Sequence, residues 1–351
     1  MRAPLPLLAA MLLLAGSAAM AQQPAAAPCA TQEQAIREEA FVLIGGIDQW
    51  ITIKGDICAN PVILFLHGGP GNPLSPYSAA LYGAWEKDFT IVQWDQRGAG
   101  RTFGRNRAAA EADLSVPRMT QDGIEVAEYL VRRLGKRKLI LVGGSWGSVL
   151  GIHMAHARPD LFSAYVGVGQ LVSYRQNQVA SYRNLLSLAH AAADTQTVDK
   201  IEALGPPPWT DPRAFGILRK ATRPYEARAS TPAPKSWWVP AEAYTSPQME
   251  ADYEGGEDYS YIQFVGLKGD GMLSTVDLPA LGNRFEIPIY LVQGAEDLVT
   301  APEVAKLYFD TLSAPRKKYV LLPRTGHDPN PPMMAAIYAI LKNDIAAAAV
   351  R

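Results

Sequence analysis

Lys138-Leu139-Ile140-Leu141-Val142-Gly143-Gly144-Ser145-Trp146-Gly147-Ser148 runs an apolar segment straight into Gly-x-Ser-x-Gly and then into residues of helical character. A serine at a sharp strand-to-helix turn sits in strained backbone, and the neighbouring chain comes so close that the positions two before and two after must be small. Gly143 and Gly147 meet that need, which marks Ser145 as a candidate nucleophile. A Gly-rich turn after a strand is common in itself, so the reading depends on partners elsewhere in the chain.

Short apolar runs recur on both sides of this stretch, at 62–66, 90–94, 139–142, 164–168, 288–292 and 319–322. Runs of this kind read as strands buried on both faces of a parallel sheet. Helix-sized segments separate them. In 122–134, Ile124, Val126, Ala127, Leu130, Val131 and Leu134 fall at helical spacing and Gly135 ends the pattern. Residues 41–44 and 50–53 alternate around Gly45-Gly46, a hairpin signal. The expected fold is α/β, a mostly parallel doubly wound sheet opened by an N-terminal antiparallel hairpin, with its core in 41–169 and 283–351. Between 170 and 282 the rhythm changes. A helical stretch at 173–193 is followed by Gly205-Pro206-Pro207-Pro208-Trp209 and by Pro224, Pro232, Pro234, Pro240 and Pro247, with aromatic residues between them. This insertion is expected to be a mostly helical cap over the strand ends, where ligands bind in open α/β sheets.

Residues 1–21 contain Arg2, a Leu/Ala-rich stretch from Leu5 to Ala15 and then Ala19-Met20-Ala21, the layout of a secretory signal peptide cut before Gln22. A retained membrane anchor is the competing reading, but the apolar stretch is short for a bilayer. Cys29 lacks the preceding Leu and small residues of a lipoprotein site. Export to the periplasm or the medium is therefore expected, with 22–40 an N-terminal tether that begins Ala/Pro/Gln-rich and loose. In an oxidising compartment Cys29 and Cys58, the only two cysteines, can form a disulfide joining the N-terminal segment to the core sheet; two free buried thiols are the alternative. The formal charge of −1 and the lack of long charge runs give no footprint for nucleic acid or an anionic membrane surface. No stable membrane insertion is expected after signal removal, and no pattern specifies an oligomeric state.

A serine hydroxyl is a weak nucleophile near neutral pH and needs a base, usually a histidine oriented by a carboxylate. Of the five histidines, His327 follows the last core run in Pro323-Arg324-Thr325-Gly326-His327-Asp328, on a loop that can lean over Ser145. His153 and His156 belong to the helix after the serine, His190 to the cap, and His67 opens a Gly-rich turn. The acid is expected in Gln293-Gly294-Ala295-Glu296-Asp297, with Asp297 preferred to Glu296 because adjacent side chains cannot both face the imidazole. The order Ser145, Asp297, His327 is that of α/β-hydrolases. An oxyanion must also be stabilised. His67-Gly68-Gly69-Pro70-Gly71 follows the third strand, and the N–H groups of Gly69 and Trp146 are the expected donors.

Three motifs in order, His67-Gly68-Gly69-Pro70-Gly71, Trp94-Asp95-Gln96-Arg97-Gly98-Ala99-Gly100-Arg101-Thr102 and Gly143-Gly144-Ser145-Trp146-Gly147-Ser148, resemble the proline iminopeptidase (prolyl aminopeptidase) family of α/β-hydrolases over most of the core sheet. The resemblance implies a Ser/Asp/His hydrolase with a helical cap, without metal or other cofactor, that removes an N-terminal residue, often proline, from short peptides. It also implies a structural role for Asp95 and Arg97, an ion pair or hydrogen-bond network bracing the oxyanion loop. Two departures mark a divergent branch. Gly294-Ala295-Glu296-Asp297 stands where the family has Gly-Arg-Tyr-Asp, and the cap lacks the Trp-x-x-Trp-Glu motif whose carboxylate helps hold the substrate ammonium. Glu226, Glu242, Glu250, Glu254 and Glu257 are the cap carboxylates available for that task.

A carboxylesterase acting on small esters would use the same Ser145 machinery without an ammonium clamp. A silent binding protein with a capped pocket is the reading from another class. Dehalogenase and epoxide hydrolase chemistry need a carboxylate where Ser145 stands. Nucleotide binding at Gly98-Ala99-Gly100 fails because Phe103 occupies the third glycine position, and a metal at His153 and His156 lacks a third ligand.

Overall fold

The computed structural model describes residues 29, 31, 33–107 and 114–347; the expected signal peptide and the first part of the tether lie outside them. An eight-stranded sheet is built from β1 (Ile36–Ile44), β2 (Ile47–Gly55), β3 (Val62–Leu66), β4 (Thr90–Trp94), β5 (Leu139–Gly144), β6 (Phe162–Val168), β7 (Ile289–Gly294) and β8 (Lys317–Leu322). Its order is β1-β2-β4-β3-β5-β6-β7-β8. The β1–β2 hairpin and the β2–β4 pair are antiparallel, and every later pairing is parallel. Strand β1 starts at Ile36, so the last residues assigned to the tether belong to the sheet. Arg37, Glu38 and Glu39 hide this in the sequence, because an edge strand tolerates charge on its solvent side.

Helices alternate with the strands: α1 (Ser78–Tyr82), α2 (Gly100–Arg105), α3 (Val116–Leu134), α4 (Trp146–Ala157), then α5 (Tyr174–Ala191), α6 (Thr195–Glu202), α7 (Pro212–Ala229) and α8 (Pro247–Val265), and finally α9 (Pro302–Thr311) and α10 (Pro331–Ala339). Helix α3 begins six residues before its apolar pattern does. The Ser115 side chain accepts from the Arg118 amide and a proline sits in the first turn; Gly135, at φ 62°, closes the other end. Both faces of the sheet are covered. Val62, Leu64 and Leu66 point into a cluster with residues of α3, α4 and α9, while Ile63 and Phe65 point into one with residues of α1 and α10. That period of two explains why the central strands read as unbroken apolar runs.

Helices α5 to α8 form the insertion between β6 and β7 and cap the C-terminal ends of the strands. The cap has a small core of its own, with Leu185, Ile201, Trp209, Ala214 and Leu218. It is tied to the main body at defined points. Ser260 donates to the Gly98 carbonyl at 2.7 Å, Phe264 meets Trp146 edge-on with ring centres 5.3 Å apart, and the Thr231 amide donates to the Arg324 carbonyl at 2.7 Å. Cys29 and Cys58 are disulfide-bonded, joining the N-terminal segment to the loop before β3. Among the described residues no helix is long and apolar enough to cross a membrane.

Candidate active site

Ser145 occupies the position between β5 and α4 with φ 51° and ψ −120°, a conformation that L-residues rarely adopt and that lifts the side chain off the sheet end. The glycines around it are sterically required. A Cβ on Gly147 would lie 2.0 Å from the Leu66 carbonyl oxygen, and one on Gly143 would lie 2.4 Å from the Gly147 carbonyl oxygen. The strained turn is held by its neighbours: the Ser145 amide donates to the Val168 carbonyl at 2.9 Å, and Ser148 Oγ donates to the Ser145 carbonyl.

Ser145 Oγ lies 2.9 Å from His327 Nε2, and His327 Nδ1 lies 3.0 Å from Asp297 Oδ2. The three residues are separated by up to 182 positions in the chain. Asp297 is fully buried, and burial by itself would push its pKa up. His327 and hydrogen bonds from Thr300 outweigh burial and hold it below the usual carboxylate value. Its Oδ1 accepts from the Val299 and Thr300 amides, both at 2.8 Å, and its Oδ2 from Thr300 Oγ1 at 2.6 Å and Gln293 Nε2 at 2.9 Å. An ionised Asp297 fixes the proton of His327 on Nδ1 and leaves Nε2 to accept from Ser145. Burial works to lower the pKa of His327, but the Asp297 charge and hydrogen bond prevail and raise it above 6.5.

The Gly69 and Trp146 amides border the cavity beside Ser145, and neither has an acceptor among the described residues. Gly69 has φ +106°, and a Cβ there would lie 2.6 Å from Asn72 Oδ1, so only glycine fits this turn. His67 fixes the loop from beneath. Its Nε2 accepts from the Gln96 amide at 3.1 Å and its Nδ1 donates to the Gly68 carbonyl at 2.8 Å; burial pushes its pKa down to about 4, so it stays neutral. The Gln96 side chain donates to the His67 carbonyl and accepts from Trp146 Nε1, each at 3.1 Å, linking the two amide-bearing segments.

Gln96 therefore makes the direct link to this loop, and of the two residues to which the resemblance gave a bracing role, Asp95 takes part in a neighbouring hydrogen-bond network while Arg97 does not. Asp95 accepts from Ser75 Oγ and the Arg101 amide, holding the chain just beyond the glycine turn. Arg97 does not pair with it. The guanidinium turns the other way, to Asp122 at 2.7 Å and the Gly45 carbonyl at 2.8 Å, and locks the hairpin to α3. Leaving β4, successive side chains point to different sides, so Gln96 faces the oxyanion loop while its neighbours do not.

Above these groups lies a cavity of about 610 Å³, partly roofed by the cap. Apolar walls come from Leu171, Phe215, Leu218, Phe264 and Leu273, and charge from Arg219, Arg223, Glu257 and Asp328. One of the cap carboxylates named from the sequence lies close to the triad, with a backbone partner that the sequence did not disclose. Glu226 on α7 is buried, its Oε1 accepts from the Leu298 amide at 2.7 Å, and burial, with repulsion from Asp297, pushes its pKa up to about 7. The regular spacing 214, 218, 222, 226 was the available signal that it faces inward.

The model of a family described by the alpha/beta hydrolase fold matches residues 61–331. The chain belongs to that family. A probable aminopeptidase of Bacillus subtilis, YbaC, is 28% identical to this hydrolase over 293 residues, 82% of this chain and 89% of the relative. A probable proline iminopeptidase of Leptolyngbya boryana is 25% identical over 283 residues, 78% of this chain and 83% of the relative. The crystal structure of VinJ superposes with a TM-score of 0.64 at 20% identity, covering 88% of this hydrolase and 98% of VinJ, a likeness of fold. The hydrolase is thus a divergent relative of the proline iminopeptidase branch.

Proposed function

We propose that this chain is an exported serine hydrolase that releases the N-terminal residue from short peptides, with Ser145 as nucleophile, His327 as base and Asp297 as the group that orients the base. The supporting observation is the pair of contacts at 2.9 and 3.0 Å that links the three side chains beneath a capped cavity. In this mechanism His327 Nε2 takes the Ser145 proton as Oγ attacks the scissile carbonyl. The developing oxyanion is met by the Gly69 and Trp146 amides. His327 then gives its proton to the leaving amine, and a water activated by the same nitrogen hydrolyses the acyl-enzyme. His67, Gln96 and the tight glycines keep the amides fixed, so little reorganisation accompanies the charge.

The peptidase form of the reading is supported by the names of the two sequence relatives and by Glu257, a cavity carboxylate beside the oxyanion loop that suits a substrate ammonium. The largely apolar walls and the solvent exposure of Glu257 favour a second reading, a carboxylesterase for small esters. Kinetics on prolyl and alanyl anilides beside short acyl esters separate the two. Turnover faster by orders of magnitude on esters, with no benefit from a free amine, sinks the peptidase. A fluorophosphonate probe should label Ser145; a chain that resists it is a binding protein. Export is supported by the Cys29–Cys58 disulfide, which needs an oxidising compartment, and is checked by finding the mature chain, starting near Gln22, outside the cytoplasm.

A further inference from the structure

Arg219 is a partly buried charge in the cavity wall with few close partners. Its side chain is only 23% exposed, yet the nearest carboxylate oxygens, Glu226 Oε2 and Asp328 Oδ1, lie at 3.8 and 3.9 Å, beyond hydrogen-bond reach. Its one hydrogen bond, to Thr222 Oγ1, is 3.4 Å long. A guanidinium has five donors in a planar fork, and most of those of Arg219 have no close protein acceptor and stay open to a ligand in the cavity. Glu226 is a poor counter-ion, because burial keeps much of it protonated near neutral pH. Arg223, four positions on and so on the same face of α7, also lines the cavity.

The position of this pair relative to the reacting groups is informative. Arg219 reaches Asp328, the residue after His327, and its charge is felt by His327 itself. A base that returns its proton to the leaving amine must have the leaving group against it. Glu257 lies on the other side, next to Gly71 of the oxyanion loop, where a Cβ on Gly71 would come within 2.9 Å of the Glu257 Cα. The cavity therefore holds a carboxylate beside the oxyanion loop and, on the leaving-group side, two arginines against the exposed Asp328, a polarity matched by a short zwitterionic peptide.

Building on the aminopeptidase reading, we infer that the preferred substrates are dipeptides and other very short peptides with a free C-terminus, and that Arg219, assisted by Arg223, receives the carboxylate of the leaving residue. A carboxylate fits a guanidinium in a two-point geometry that an amide or an anilide cannot match. Because that contact exists before and during bond breaking, it acts mainly on KM.

The test compares kcat/KM of the full mature chain on Ala-Ala, on its C-terminal amide and on alanyl anilide. The expected result is a preference for the free acid over the amide of about tenfold or more, expressed in KM. In Arg219→Met, alone and with Arg223→Met, that ratio collapses toward one, and Arg219→Lys retains part of it. Equal rates on acid and amide in the unmodified enzyme, with the anilide cleaved, overturn the inference and leave the aminopeptidase standing. A preference that survives in the double variant overturns the assignment to these arginines. Failure on all three substrates while short acyl esters turn over removes the inference together with the peptidase reading beneath it.

Discussion

The strands of the core and the helices of the cap bury their inward faces with different chemistry. In β3 and β4 every residue is buried, and all but Thr90 and Gln93 are apolar. In α7 the buried stripe is Ala214, Leu218, Thr222 and Glu226, and in α8 it is Asp252, Gly256, Ser260 and Phe264 followed by Val265. The cap turns a half-polar seam inward. Burying polar groups is costly unless they are partnered, and these helices keep partners: Glu226 with the Leu298 amide, Ser260 with the Gly98 carbonyl, Asp252 with Arg107. The core is thus a dry apolar platform, while the cap is held on it by partnered polar groups at the seam.

That contrast can be broken most directly at the platform. Ser145→Ala should lower kcat by about four to six orders of magnitude, and His327→Ala by a similar factor, because members of a triad act as a unit. Steady-state turnover with loss of fluorophosphonate labelling measures it; a tenfold loss would mean that another nucleophile carries the reaction. Next comes the elbow itself. Gly147→Ala pushes a methyl to 2.0 Å from the Leu66 carbonyl oxygen in a region with no slack, so a destabilisation of about 3 kcal/mol is expected from overpacking. Urea unfolding reads it, and unchanged stability would show that the strand-to-helix junction is looser than described.

The cap is probed by pH. In the proposed mechanism His327 must be neutral to act as base, and its pKa is raised, so activity is expected to be lost as pH falls through a value above 6.5. Glu226 contributes to that rise through its charge. Glu226→Gln should therefore move the acid limb of kcat/KM to lower pH, by less than about one unit. The same group bears on stability. Its folded pKa of about 7 lies above the ordinary 4.5, so the folded state holds the proton more tightly and stability from this group declines as pH rises between those values. The slope is at most about 1.4 kcal/mol per pH unit, and in Glu226→Gln it should vanish. An unmoved pH profile in the variant would disconnect this part of the cap from the triad.

The smallest effect sharpens the comparison from the other side. Gly216 lies within α7, and the nearest atom to a Cβ built there is the hydroxyl of the partly exposed Tyr261, at 3.3 Å. Gly216→Ala should stabilise the protein by about 0.5 to 1 kcal/mol through helix propensity, in contrast to the core glycine. A loss measured in thermal or urea unfolding would show that the cap is packed as tightly as the sheet.

What the sequence could state, it stated through local pattern. All eight strands lie at or beside the apolar runs and the hairpin that the chain displays, and the residues 145, 297 and 327 sit on the turns that follow β5, β7 and β8. Such features are legible because strand periodicity and the steric needs of a Gly-x-Ser-x-Gly turn act over a handful of neighbouring residues. The start of β1 was obscured by edge charges, and the beginning of α3 by a cap whose signal precedes any apolar spacing.

Only the folded chain decided how distant groups meet. Gln96 rather than Arg97 holds the 67–71 loop because the strand end presents that side chain to His67 and Trp146, 29 and 50 positions away. Glu226 and Arg219 became neighbours of the triad because α7 packs its polar stripe on the loops carrying Asp297 and His327. No period encodes such contacts. They depend on the angle at which one helix lies over a sheet edge, which is set by the sum of many weak packing terms spread over the whole chain.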